Sequence, residues 1–107
     1  MLARSERYAE VTEMAYMIVR HKVADYAKWK AAFDEHVATR AAGGSLGGLL
    51  FRGADNTNEM IAVFEWDDLG KARQFAQSDN LRETMQRAGV SDIPDIYFVE
   101  KVEDLAR

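Results

Sequence analysis

Arg20-His21 and Glu65-Trp66 are two places where side chains able to move protons or grip an aromatic ring close an apolar run. Imidazole titrates near neutrality, so His21 can act as a general base or as a donor to a carbonyl. Trp66 and Tyr97 can stack on an aromatic substrate or offer it a hydroxyl, with Trp29 and Phe33 as apolar wall and Arg20 as a cation. Each has a structural alternative: His21 hydrogen-bonded at a strand end or subunit interface, Trp66 as core packing, Tyr97 as an interface residue. His36 stands 11 residues beyond Asp25, which is roughly 16 Å along a helix axis and away from His21. Two separated histidines without paired carboxylates make no metal site. Asp67-Asp68 is acidic enough for magnesium, but helix capping explains it more simply. Ser45 and Ser78 would need His21 or His36 as base, and neither has a nucleophile elbow.

The elements that must position these residues follow from periodicity. Met14 to Val23 is apolar on both parities up to Arg20 and reads as a first strand with both faces covered. Asp25 caps a helix whose buried stripe is Tyr26, Trp29, Phe33 and Val37, with Lys30 and Asp34 as an exposed i,i+4 pair and Gly43-Gly44 as its end. Leu46 to Phe51 is a second strand, bent or bulged at Gly47-Gly48, joined by turn residues 53–58 to a third strand, Met60 to Trp66. Leu69, Ala72, Phe75 and Ala76 stripe a second helix capped by the aspartates. Asn80 with Glu83 resembles a capping box for a short third helix striped by Leu81, Met85 and Ala88 and closed by Gly89. Ile96 to Val102 is the last strand. The glycine pairs follow a helix and enter a strand, the reverse of a dinucleotide fingerprint.

This order predicts an α+β, ferredoxin-like, four-stranded antiparallel sheet with its helices on one face. The first and third strands are expected as parallel neighbours, with the fourth antiparallel beside the first. Arg20, His21, Glu65, Trp66 and Tyr97 then meet at one edge, with His21 and Trp66 turned toward the helices. The uncovered sheet face is apolar, which implies a homodimer. Residues 1–12 are expected as a loose extension, 13–103 as the single domain and 104–107 as a charged tail.

Composition narrows the function classes. The chain has 107 residues, 48% of them hydrophobic and 30% charged, the balance of an ordinary globular domain. No apolar run approaches the roughly 18 residues of a membrane span, and the first residues lack a secretory h-region. With no cysteine, disulfides, thiolate nucleophiles and thiolate metal sites are excluded, and the cytoplasm is the default compartment. A net charge of −4 with interspersed signs argues against a nucleic-acid partner. No membrane partner and no cofactor are expected.

The runs Val23-Ala-Asp25-Tyr26-Ala-Lys-Trp29-Lys-Ala-Ala-Phe33-Asp, Glu65-Trp66-Asp67-Asp68 and Phe75-Ala-Gln-Ser78-Asp-Asn-Leu81 resemble the dimeric α+β barrel superfamily. Within it they are most similar to small bacterial proteins labelled cyclase-like or antibiotic-biosynthesis-monooxygenase-like. The resemblance covers roughly residues 14–102 and implies a pocket between helices and sheet. Haem-degrading relatives carry a histidine ligand on the helix after a serine-rich break, and Ser78 to Met85 holds none, so a haem role is not implied. Cofactor-free oxygenases of the superfamily set an asparagine with Trp, Tyr and Arg near the substrate; Trp66 matches one of these. The resemblance thus implies a cofactor-free monooxygenase or cyclase-like enzyme acting on an aromatic or polyketide-like ligand. The alternative is a non-catalytic dimer that binds a metabolite or serves in stress response, and a DNA-binding regulator is disfavoured by the absence of a basic segment.

Overall fold

The computed structural model describes residues 15–106. The expected loose extension, residues 1–12, lies outside them. The chain runs β1 (Ala15–Lys22), α1 (Tyr26–Glu35), α2 (Val37–Gly43), β2 (Ser45–Arg52), β3 (Glu59–Trp66), α3 (Leu69–Ala76), α4 (Asp79–Ala88) and β4 (Asp95–Glu100). The strands form one sheet in the order β2-β3-β1-β4, and every neighbouring pair is antiparallel. This is the ferredoxin-like α+β fold.

One expectation is corrected here. β3 runs antiparallel to β1, with Ala15 opposite Trp66 and His21 opposite Met60. The reason is topological. The α1–α2 crossover brings the chain back so that β2 runs parallel to β1, and the hairpin that follows must reverse direction. β3 enters between β1 and β2, so it opposes both. The carboxyl end of β1 therefore meets the start of β3, and Trp66 sits at the other end of the sheet from His21.

Helix punctuation follows local chemistry. Asp25 accepts from the Lys28 amide at 3.3 Å and Asp68 from the Gly70 amide at 2.7 Å. The third cap is Ser78, whose hydroxyl accepts from the Leu81 amide at 3.2 Å, and not Asn80. Asn80 lies inside the first turn of α4, and its side chain goes elsewhere, to His36. The first predicted helix is broken at His36, where ψ is 0°, so the stripe shifts: Val37 is exposed, and His36 and Arg40 turn inward. The last strand ends at Glu100, and Val102 is exposed.

Alternation divides the sheet. Met17, Val19 and His21 of β1 and Met60, Ala62 and Trp66 of β3 are buried under the helices. Tyr16, Ile18, Ile61 and Val63 point to the other face, joined by the more exposed Leu49, Phe51, Tyr97 and Val99, and no element among the described residues covers them. β2 bulges between Ser45 and Gly47, and Gly47 has φ +106°. At Gly48 the backbones press together: an added Cβ would stand 1.9 Å from the Val63 carbonyl oxygen. Gly48→Ala is therefore expected to destabilise the protein by about 3 kcal/mol or more, since backbone must move. Gly47→Ala, whose Cβ meets nothing, is expected to cost only the left-handed strain of about 1 kcal/mol. Chemical denaturation of both variants tests this, and an equal or inverted order contradicts it.

Candidate functional site

Two core clusters lie under the helices. One is built from Met17, Val19, Trp66, Ala72, Phe75 and Leu81, the other from Val23, Trp29, Met60 and Ala88. Between helices and sheet lies a cavity of about 50 Å³. Its walls include His21 from β1, Trp29 and Phe33 from α1, Arg40 from α2, and Thr84 and Met85 from α4. The space admits ordered water but is far below the roughly 300 Å³ at which small-molecule pockets begin.

His21 is the chemical singularity of this cavity. It is 6% exposed, and neither ring nitrogen has a hydrogen-bond partner among the described residues. Its ring meets the Trp29 indole edge-on at 5.5 Å between centroids. Burial pushes the imidazole pKa below its usual value, Asp92 opposes that shift, and Arg20 adds to it. The ring is therefore neutral at neutral pH, one nitrogen able to accept a proton and the other to donate one. Leaving such a group unpaired costs about 1–3 kcal/mol.

Of the residues singled out in the sequence, His21, Trp29 and Phe33 line the cavity, and Trp66, Tyr97 and Arg20 do not. Trp66 is fully buried behind Phe75, with ring centroids 5.2 Å apart, and its indole Nε1 has no partner among the described residues. Tyr97 is 57% exposed on the open face of the sheet. Arg20 also points to the open face, where its guanidinium bonds Glu59 at 2.8 Å and Asp95 at 3.0 Å. The antiparallel register and the alternation of β1 and β4 disperse the expected cluster.

His36 and Arg40 were not placed at the site by sequence reasoning. His36 reaches the same cavity as His21, and its Nε2 lies 2.6 Å from Asn80 Oδ1, an oxygen that only accepts, so Nε2–H donates. Arg40 stacks its guanidinium 4.1 Å over the Phe33 ring and donates from Nη1 to the Phe33 carbonyl at 2.7 Å. A signal existed: positions 26, 29, 33, 36 and 40 follow the alternating three- and four-residue spacing of one helix face. It ends on a histidine and an arginine, which ordinary patterning sends to solvent. Among the described residues no cluster of His, Cys, Asp and Glu is suited to a metal ion, and no helix is long and apolar enough to cross a membrane.

The fold is shared with solved structures at low sequence identity. SnoaB, a cofactor-independent oxygenase from Streptomyces nogalater, is 16% identical, with a TM-score of 0.72 over 89% of this chain and 99% of its own. A monooxygenase from the gene ActVA-Orf6 of Streptomyces coelicolor, solved with the ligand Nanaomycin D, is 13% identical, with a TM-score of 0.62 over 90% and 94%. A conserved protein from Methanosarcina mazei Go1 is 14% identical, with a TM-score of 0.71 over 89% and 99%. No protein-family model and no curated protein sequence matches the chain. At this identity the likeness establishes the fold alone.

His21 sets a pH dependence whose sign is fixed by its lowered pKa. The unfolded chain binds the proton more readily, so this contribution to stability is full above about pH 6.5 and is lost as pH falls from there through the folded-state value. His21→Leu removes both the unpaired nitrogens and the titration. It is expected to raise stability by about 1 kcal/mol near pH 7 and by more near pH 5. Urea midpoints at the two pH values measure it, and a constant difference between variant and parent contradicts it.

Proposed function

We propose that the chain binds a small aromatic or polyketide-like molecule between helices and sheet and acts as a cofactor-independent monooxygenase or cyclase-like enzyme. One observation carries the reading: a buried imidazole with neither nitrogen paired, walled by Trp29 and Phe33. An acidic C–H or O–H of the ligand would give its proton to the neutral His21 ring, which burial keeps unprotonated. The resulting substrate carbanion adds to dioxygen and the peroxide takes the proton back from His21; loss of water from this C–H hydroperoxide leaves a carbonyl, so the substrate supplies the electrons, one oxygen atom enters the product and the other leaves as water. SnoaB, described as a cofactor-independent oxygenase, and the Nanaomycin D complex support this direction.

The working form in this reading is a cytoplasmic homodimer. Leu49, Phe51, Tyr97 and Val99 present apolar surface on a sheet face that nothing else in the described chain covers, and a second copy would bury it. Tyr97 then belongs to the subunit interface and Trp66 to the support behind Phe75.

The 50 Å³ cavity favours a second reading, a non-catalytic dimeric binder, because an aromatic ligand enters only if side chains such as Phe33 and Met85 move. Binding and turnover separate the two. Fluorescence titration with naphthol is expected to show binding that weakens by about tenfold or more in His21→Ala, with the dimer intact by sedimentation; unchanged affinity removes His21 from the site. Oxygen uptake with a naphthalenediol, lost in His21→Ala, supports the enzyme. Binding without uptake supports the non-catalytic reading.

A further inference from the structure

Arg40 is a buried cation without a counter-ion. It is 9% exposed, and no carboxylate among the described residues lies within ion-pair distance of it. Its guanidinium carries five N–H donors. One hydrogen bond is formed from it, Nη1 to the Phe33 carbonyl, and the flat faces are occupied by Phe33 at 4.1 Å and Phe64 at 5.5 Å. Burial lowers its pKa and Asp34 only opposes that, yet a guanidinium stays charged in any accessible pH range. Burying a charge this far without a partner is costly, and an anion that took the remaining donors would offset the cost.

There is room for one. Beside the internal cavity lies a groove of about 420 Å³ between α2 and β2, within the size range of small-molecule sites. Leu46, Leu49, Leu50, Val37 and Ala41 make most of it apolar, and among the described residues Arg40 is its one charged lining residue. The glycine bulge of β2 keeps part of its floor free of side chains. Phe33, Phe64 and Arg40 line both the groove and the cavity that holds His21. They form the partition between the two spaces.

We propose that Arg40 is the anchor of an anion subsite in this groove, and that the ligand is an aromatic carboxylate or phenolate whose ring lies along Leu46 and Phe64. This deepens the reading under Proposed function and rests on it for the role of His21 beyond the partition. The charged group pairs with the guanidinium from the groove side. A displaced Phe33 ring then joins the groove to the cavity, so the charged end of the ligand, held at the partition, is the end nearer His21. Specificity is set by charge at one end and by apolar fit along the body.

Two probes of similar shape test it: naphthoate, which is charged, and naphthalenemethanol, which is neutral. In the unaltered protein naphthoate is expected to bind at least about tenfold tighter. In Arg40→Gln the two affinities are expected to become about equal, while Arg40→Lys keeps part of the preference. Because Arg40 packs on Phe33 and its loss can impair folding, Leu46→Glu provides a second variant; Leu46 is 62% exposed on the groove wall, and a carboxylate there is expected to abolish the preference by repulsion. Equal affinity of the two probes for the unaltered protein overturns the proposal, as does a preference that survives in Leu46→Glu and Arg40→Gln. His21→Ala separates the two readings, since a failure of the His21 role leaves the ratio of naphthoate to naphthalenemethanol affinity intact.

Discussion

Alternation along β1 assigns Arg20 and His21, neighbours in the chain, to opposite worlds, and most of what the protein can do depends on that split. Arg20 lies on the open face among Glu59, Asp92 and Asp95, where each ion pair is partly hydrated and contributes little. His21 lies under the helices with no hydrogen-bond partner among the described residues. A buried polar ring with no protein partner detracts from stability. Its environment is made by Val19 in the same strand, by Val23 just beyond the strand's end, and by Trp29 above. The fold thus stabilises around the imidazole rather than through it.

The helical layer repeats the pattern. The break at His36 rotates the chain by a fraction of a turn, so that α2 presents Arg40 inward and leaves Val37 in solvent. His36 is held by Asn80, which ties α1 and α2 to α4, and Phe33 is clamped between Trp29 and Arg40. Trp29, Phe33, His36 and Arg40 also bound the cavity. Packing and site are therefore the same residues, and a ligand that enters must displace part of the core that closes over it.

Much of the fold was legible in the sequence because its signals are local. The strand parities, the Asp25 and Asp68 caps, the left-handed glycines at Gly44 and Gly89 and the bulge at Gly47 all rest on residues close in the chain. The candidate site was less legible, because it depends on which strand ends meet. A parallel β1–β3 pair would bring His21 to Trp66, whereas the antiparallel pair separates them by the length of the strand. The inward turn of His36 and Arg40 depends on one backbone angle at the helix break, and no composition rule sends an arginine into a core. Asn80 is of a type that suits a cap, but Ser78, two residues earlier, takes that place and frees it for His36.

The central claim is that one face of this sheet closes over a small organic molecule while the other pairs with a second copy. Native mass spectrometry of gently purified protein reads both at once. The account predicts a dimer that retains up to one small organic molecule per subunit and loses it on mild activation without dissociating. A monomer would contradict it, since the apolar face formed by Leu49, Phe51, Tyr97 and Val99 would then stand in water with nothing to cover it.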